Sequence, residues 1–267
     1  MNILVCVKQV PDTTEIKIDP VTNTLIRKGV PSIVNPFDGY AVEAAARIKD
    51  KNPDTRIVVL SMGPEQAKAA LKDCLAIAAD KAYLVSDRAF GGSDTLATSY
   101  IISETIKKIE TLEGRFDLIF CGKQAIDGDT AQVGPEIAEH LDLVQVTYGL
   151  EAELVDGKVQ VKKETEEGLD IVEADLPCLV TFTKPAWDPR YSTIKRRLAA
   201  NHAEIPTLTA KDLPTIDLTR AGLKGSPTKV KGTFVPQKKT GGQTIKGDTN
   251  ADTAKKLFAA LKDAGII

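Results

Sequence analysis

The chain alternates short apolar runs with segments in which apolar residues recur every three or four positions. Four of the runs have the length and composition of strands buried on both faces: residues 3–7, 57–62, 82–85 and 118–121. The helical segments begin at three turn signals: Asn35-Pro36, Gly63-Pro64 and Gly92-Ser93-Asp94. This alternation predicts an α/β fold with a Rossmann-like, mostly parallel sheet and helices on both faces. Asn35 can cap the first helix, since Pro36 suits a first helical turn.

The pattern changes after residue 145. Two alternating segments flank Asp156-Gly157, which predicts a β-hairpin, and residues 179–183 predict one more strand of the same sheet. From Trp187 the chain is rich in Pro, Lys and Gly, which indicates a long surface excursion. It ends in an amphipathic helix whose apolar residues need a partner surface: Leu257, Phe258, Leu261 and Ile266.

The composition and charge of the chain argue against several classes of function. The net charge is −2, from 35 basic and 37 acidic residues, which argues against a nucleic-acid partner. Basic residues outnumber acidic ones over 220–262, as expected of either a solvated tail or an arm that docks on an acidic partner. With no signal peptide and no apolar run long enough to span a bilayer, we expect a cytoplasmic protein without membrane insertion.

Cysteine and histidine usage argues against several kinds of site. The four cysteines are far apart and lie in apolar surroundings, so we expect buried free thiols and no bound metal. Only two histidines are present, which argues against a Ser-His-Asp centre.

Polar or glycine-rich loops follow the four predicted strands. In a parallel sheet, the carboxyl ends of the strands form the ligand site. The loop GKQAIDGDTAQVGP follows a strand and precedes a helix, an arrangement that presents backbone N–H groups and a helix N-terminus to a phosphate. The sequence therefore predicts a bound nucleotide. The loops are residues 8–12, 62–65, 86–95 and 122–134.

Five segments, in order along the whole chain, resemble the electron transfer flavoprotein β subunits: VCVKQVPD, VNPFDGYAVEAA, SMGP, GKQAIDGDTAQVGP and PRYSTIKRR. This resemblance implies a nucleotide-binding domain over 1–186 and a partner recognition loop over 187–202. It also implies an extended arm over 203–267, with its final helix docked on an α subunit that carries FAD. The β subunit would hold AMP as a structural nucleotide in simple members, or a second FAD in bifurcating members.

The resemblance also implies the residues that hold the nucleotide. Cys6, Val7 and Met62 would lie near the adenine, and the segment from Asn35 to Asp38 would line the nucleotide. Gly122 and Gly128 permit close backbone approach, while Asp127 accepts from a ribose hydroxyl or shapes the loop. The loop amides and the Thr130 hydroxyl would donate to phosphate. The implied set is Cys6, Val7, Asn35, Phe37, Asp38, Met62, Gly122, Asp127, Gly128, Asp129, Thr130, Ala131, Gln132 and Val133.

Two features favour the bifurcating type. Simple members tend to carry an acidic residue where Gly128 stands, and residues 86–99 resemble the bifurcating group. There, Arg88 would stabilise an anionic flavin or its pyrophosphate, and Phe90 would pack on a ring. Ser93, Asp94 or Thr95 would cap a helix whose N-terminus faces the ligand. The alternative is that Asp94 merely caps and Phe90 merely fills a gap.

The basic segment near residue 190 resembles the family's docking loop for acyl-CoA dehydrogenases. Ile194 would be an apolar anchor, and the surrounding side chains would steer encounter. Residues 199–205 depart from the family's Lys-rich continuation, and a solvated turn is the alternative. The implied contacts are Arg190, Tyr191, Ile194, Lys195 and Arg196.

These features together predict one subunit of a heterodimeric electron carrier. NADH would donate a hydride to FAD in this chain, and the electrons would pass to the α-subunit FAD with an acyl-CoA dehydrogenase, and to ferredoxin or flavodoxin. No side chain would act as acid, base or nucleophile. One alternative is an AMP-holding subunit. Another is an ATP-binding PP-loop domain, which residues 91–95 match in part, although after the third predicted strand rather than the first.

Overall fold

A computed structural model describes residues 1–12, 31–232 and 241–267. The chain divides into two compact units, a large one that extends to Lys231 and a small one whose described residues are Gly232 and 241–267. The strands are β1 (Asn2–Cys6), β2 (Gln9–Pro11), β3 (Ser32–Val34), β4 (Arg56–Met62), β5 (Lys81–Val85), β6 (Leu118–Gly122), β7 (Val144–Val155), β8 (Lys158–Thr165), β9 (Gly168–Ala174), β10 (Cys178–Phe182) and β11 (Thr207–Leu208). The helices are α1 (Pro36–Lys51), α2 (Lys68–Ile77), α3 (Thr95–Glu113), α4 (Val133–His140), α5 (Ile194–His202), α6 (Gly222–Gly225) and α7 (Asn250–Asp263).

Among the described residues, the large unit contains a nine-stranded sheet in the order β11-β5-β4-β1-β6-β10-β7-β8-β9. The strands from β11 to β7 are parallel, and β8 and β9 continue the sheet in antiparallel pairs. The four apolar runs are β1, β4, β5 and β6, which lie side by side. The α/β fold with a mostly parallel sheet is therefore confirmed.

The core occupies both faces of the sheet because side chains alternate along each strand. Ile3, Val5 and Phe120 pack on one face with α1 and α2, while Leu4 and Ile119 pack on the other with α3 and α4. All five are almost fully buried. This explains why the strands are continuous apolar runs in the sequence.

The hairpin and the additional strand are also confirmed. Asp156 and Gly157, with φ of +49° and +79°, connect β7 to β8, as a two-residue turn with two left-handed positions requires. The strand β10 lies between β6 and β7 and is parallel to both.

The prediction of a long surface excursion is wrong for residues 203–231. Residues 203–231 belong to the large unit, with β11 paired to β5 at the sheet edge. Their few apolar residues are spaced widely enough that each one inserts separately into the core, so no apolar run marks the segment in the sequence. The buried ones are Ile205, Leu208, Leu213 and Ala221.

The small unit contains α7, which Thr249 caps by accepting a hydrogen bond from the Asp252 N–H. Its apolar residues Leu257, Phe258 and Ile266 are exposed, in agreement with an amphipathic helix. Docking of this helix on an α subunit stays a prediction. None of the described helices combines the length and apolar character needed to cross a bilayer.

A buried carboxylate joins the end of α3 to the sheet. The side chain of Glu113 is 2% exposed and accepts from the Tyr83 hydroxyl, while forming ion pairs with Lys81 and Arg56. Its partners come from two adjacent strands, so one carboxylate fixes the C-terminal end of α3 against β4 and β5.

We expect Glu113→Gln to lower the free energy of unfolding by roughly 1–3 kcal/mol, because an amide oxygen replaces a carboxylate that accepts three charged or polar donors. Urea unfolding followed by circular dichroism measures this. The matched control is Glu153→Gln, which removes an exposed ion pair to Lys51 and should cost no more than about 0.5 kcal/mol. Equal losses in the two variants would contradict the assignment.

Candidate nucleotide site

The four predicted loops meet at one cavity. It lies at the carboxyl ends of β1, β4, β5 and β6 and has a volume of about 770 Å³, which is within the usual range for small-molecule sites. Each loop contributes lining residues, among them Lys8, Met62, Arg88 and Thr130. The position agrees with the rule for parallel sheets.

Asp38 fixes the base of this cavity. It lies in the first turn of α1, and its Oδ2 accepts from the Lys8 N–H at 2.6 Å while its Oδ1 accepts from the Gly122 N–H at 3.1 Å. Burial raises the pKa of Asp38 to about 7, against the opposing effect of its hydrogen bonds and of Lys8. The carboxyl group therefore ties the ends of β1 and β6 to α1.

Gly122 is required by this contact. A Cβ at that position would overlap Oδ1 of Asp38 and lie 2.7 Å from the Asp38 backbone nitrogen. Gly128 differs, since a methyl group added there would find no heavy atom of the described residues within 4 Å. The first glycine permits close packing, whereas the second borders open space in the cavity.

Asn35 occupies the N-cap position of α1, but its side chain makes no capping hydrogen bond. Instead, its Nδ2 donates to the Gln124 carbonyl at 2.8 Å, and its Oδ1 accepts from the Ile126 N–H at 3.2 Å. The predicted capping role is therefore wrong. The amide shapes the loop after β6, which offers it a backbone donor and acceptor together.

The loop before α4 presents free backbone N–H groups. Asp129 and Ala131 have φ of +57° and +54°, and Gln132 follows with φ of −108°. Within the described parts of the chain, the N–H groups of residues 130–134 have no hydrogen-bond acceptor. Successive amides of this kind at a helix N-terminus form an anion-binding concavity.

The acidic side chains of this loop are held by neighbouring groups. Asp127 pairs with Lys8, with 2.6 Å between Oδ1 and Nζ, and Asp129 accepts from the side chain of Gln124. Both carboxylates therefore take part in the contacts that shape the loop, and Lys8 offsets part of their charge.

All the predicted cofactor residues except Phe37 and Asp127 line the cavity. Phe37 instead packs edge-on against Tyr40, with 6.4 Å between the ring centroids. Lys8 and Lys123 also line the cavity; the sequence placed them in ligand loops but did not identify them as site residues. Each lysine directly follows a residue that the sequence predicted to bind the cofactor at the end of a strand, Val7 or Gly122. This position was the signal in the sequence that could have identified them.

The loop after β5 combines structural and exposed residues. Asp94 caps α3 by accepting from the Ala97 N–H at 3.0 Å, and Phe90 is only 3% exposed and belongs to the core. Thr95 donates to Glu136 at 3.2 Å. Asp94 and Phe90 thus make the contacts that the alternative interpretation predicted, in which Asp94 caps the helix and Phe90 fills a gap in the core. Arg88, in contrast, is exposed at the cavity.

The 203–231 stretch holds this same loop in place. Asp87 accepts from the Ala210 N–H at 3.1 Å, and the Ser93 hydroxyl accepts from the Gly222 N–H at 3.1 Å. Asp94 accepts from the Thr228 N–H at 2.9 Å. These backbone contacts carry no sequence signature, which is why the pattern of apolar residues did not reveal them.

The basic segment divides into bound and free side chains. Arg190 forms ion pairs with Asp50 and Glu43, which raise the pKa of its guanidinium. Arg196 donates to carbonyls at the end of α2. Tyr191 and Ile194 are 98% and 82% exposed, and Lys195 is exposed as well. The two arginines therefore hold the segment on the large unit, and the other three side chains point to solvent.

Comparison with known proteins identifies the family. The electron transfer flavoprotein domain matches residues 22–213. The chain belongs to the electron transfer flavoprotein β-subunit family. An electron transfer flavoprotein β subunit of Megasphaera elsdenii is 51% identical over 256 residues, covering 95% of this chain and 94% of the relative.

Two further relatives extend over nearly the full length. The CarD subunit of the caffeyl-CoA reductase-Etf complex of Acetobacterium woodii is 48% identical over 267 residues, covering all of both chains. Protein FixA of Azorhizobium caulinodans is 42% identical, with 98% of this chain and 94% of the relative covered. The chain is therefore a subunit of an electron transfer flavoprotein and pairs with an α subunit.

We expect Gly122→Ala to destabilise the protein by roughly 1–3 kcal/mol, because the added methyl group must displace the Asp38 backbone and carboxylate. Thermal unfolding monitors the loss. Gly128→Ala is the matched control and should stay within about 0.5 kcal/mol of the parent. A stable Gly122→Ala variant would show that the ends of β1 and β6 adapt freely.

Proposed function

We propose that this chain is the FAD-binding subunit of a bifurcating electron transfer flavoprotein. Bound FAD would accept a hydride from NADH and deliver single electrons along two routes. One route leads to the FAD of the α subunit and an acyl-CoA dehydrogenase, and the other leads to ferredoxin or flavodoxin. The observation that carries the proposal is the size and lining of the cavity, which extends from the loop before α4 to Arg88.

The lining fits a dinucleotide. The free N–H groups of residues 130–134 are suited to one phosphate. Among the described cations that line the cavity, Lys8 pairs with Asp127 and the Lys123 ammonium lies over the Tyr148 ring, so Arg88 is the one available to a second phosphate or to a flavin. A mononucleotide held at residues 130–134 would leave the side near Arg88 unfilled. The open space at Gly128 leaves room for the remainder of a larger ligand.

The chain's own task is to hold and orient the cofactor. Cys6, Val7 and Met62 provide an apolar wall, while Asp38 and Asn35 hold the loops that surround it. We assign to Arg88 the stabilisation of negative charge on the cofactor, because it is the exposed cation of the loop after β5. No acid, base or nucleophile is required of the protein.

The full-length similarity to CarD supports the partner assignment, since the name of that relative places it in a complex with a caffeyl-CoA reductase. We propose an acyl-CoA dehydrogenase as the partner of this complex. The surface of this chain on which the dehydrogenase docks would consist of the exposed residues around the start of α5: Tyr191, Ile194 and Lys195. Arg190 and Arg196 would position this surface.

Cofactor content tests the proposal directly. The purified complex with the α subunit is denatured, and the released FAD and AMP are counted per heterodimer. Two FAD, with rapid bleaching of the flavin absorbance by NADH, are expected. One FAD and one AMP would establish the structural-nucleotide alternative and overturn the bifurcating one.

We expect Arg88→Ala to release FAD from this subunit or to slow its reduction by NADH by about tenfold or more, as the loss of one charge-assisted contact predicts. Flavin occupancy and stopped-flow reduction measure the two effects. Arg115→Ala is the control, because Arg115 is also exposed but lies away from the cavity. Unchanged occupancy and kinetics in Arg88→Ala would remove Arg88 from the site.

We expect Ile194→Ala to slow electron delivery to the dehydrogenase by about tenfold, since a buried interface anchor contributes on the order of 1–2 kcal/mol. Reduction by NADH should be unchanged, because Ile194 is on α5 and outside the cavity. Leu112→Ala, which truncates another exposed aliphatic side chain, is the control. Equal delivery by the parent and both variants would place the docking surface elsewhere.

A further inference from the structure

Cys6 and Cys121 lie side by side at the floor of the cavity. They are register partners in the parallel strands β1 and β6, and they share a sheet face with Leu4 and Ile119. Neighbouring strands are about 4.7–4.9 Å apart, and disulfides span Cα separations of about 4.4–6.8 Å. The two side chains are therefore placed for a disulfide with little movement of the backbone.

The cavity is the route by which a reagent reaches this pair. Cys6 and Cys121 are 9% and 6% exposed, and both line the cavity. The neighbouring Cys6 thiol and, to a smaller extent, burial raise the pKa of the Cys121 thiol well above its usual range. The register of β1 and β6 therefore places the two cysteines side by side at the cavity, and Cys6 is the more accessible of the two.

We propose that Cys6 and Cys121 are a redox-active dithiol, which a small-molecule disulfide converts into a disulfide between β1 and β6. We propose further that a bound nucleotide blocks this oxidation by covering the floor of the cavity. The second statement rests on the proposed nucleotide site, whereas the first depends only on the placement of the two thiols.

The reaction is a balanced thiol–disulfide exchange. The Cys6 sulfur, after losing its proton, attacks the small disulfide, which forms a mixed disulfide and releases one thiol. The deprotonated Cys121 sulfur then attacks the Cys6 sulfur, which forms the protein disulfide and releases the second thiol. The two cysteines lose two electrons and two protons, and the small disulfide is reduced to two thiols.

The other cysteines supply internal controls. Cys74 in α2 and Cys178 in β10 belong to the core on the opposite face of the sheet, and neither lines the cavity. In the described sheet, Cys178 is in register with Leu118 and Val144 rather than with a thiol. Burial raises the pKa of Cys178 to about 11 and raises that of Cys74 as well.

The test uses the complex with the α subunit after removal of its nucleotides. The complex is treated with oxidised glutathione, remaining thiols are blocked with N-ethylmaleimide, and tryptic peptides are analysed by mass spectrometry. The expected product links residues 1–8 to residues 116–123, at two hydrogen masses below the sum of the two peptides. Cys74 and Cys178 should carry the blocking group.

Single variants make the result decisive. In Cys121→Ser, Cys6 should accumulate as a glutathione adduct, because no second thiol resolves it. A glutathione adduct on Cys6 in the parent protein, without the linked peptide, would overturn the proposal. Equal modification of Cys74 and Cys178 would overturn it too, because the reaction would then report unfolding.

Added nucleotide separates this inference from the proposed function. FAD or AMP at ten times its dissociation constant should slow formation of the linked peptide about tenfold, since about one tenth of the sites remain free. Rapid formation of the linked peptide in the presence of both FAD and AMP would leave the first statement, the redox-active dithiol, in place. It would overturn the proposed protection, and with it nucleotide binding at this cavity and the function proposed for the cavity.

Discussion

The carboxyl group of Asp38 accepts hydrogen bonds from the backbone at the ends of two neighbouring strands, β1 and β6. The floor of the cavity and the wall formed by the loop after β6 are built outward from this junction. Gly122 has no side chain because the carboxyl group fills that space, and Asn35, three residues earlier than Asp38, holds the loop after β6 by its amide. One turn of α1 therefore sets the floor and one wall together.

The opposite wall depends on a different kind of contact. The loop after β5 is held by backbone N–H groups of residues 210–228, a stretch that forms two short helical turns besides α6. These N–H groups bind the carboxylates of Asp87 and Asp94, and the Ser226 hydroxyl adds a contact by accepting from the Asp94 N–H. Arg88 lies between the two fixed carboxylates, so the exposed cation is carried by a loop that is braced on both sides.

The sequence predicted the elements that have a regular pattern of apolar residues. Residues 57–62 and 118–121 became strands within one residue of their predicted limits, because strands buried on both faces leave a continuous apolar signal. The sequence did not predict the contacts that single polar side chains make with residues far away in the chain. Examples are the hydrogen bond of Asn35 to Gln124 and the ion pair of Arg190 with Glu43. No periodicity records such contacts. The cavity was found because its loops follow strands, whereas the bracing of those loops was not.

The exposed residues around Ile194 are connected to the cavity through the core of the large unit. Arg190 and Arg196 are anchored on α1 and at the end of α2, the helices that cover the sheet face opposite to α3 and α4. The exposed Ile194 is thus attached to helices whose inner faces pack on the sheet that forms the cavity floor. Because this core is close-packed, it resists any change in the distance between Ile194 and the cavity.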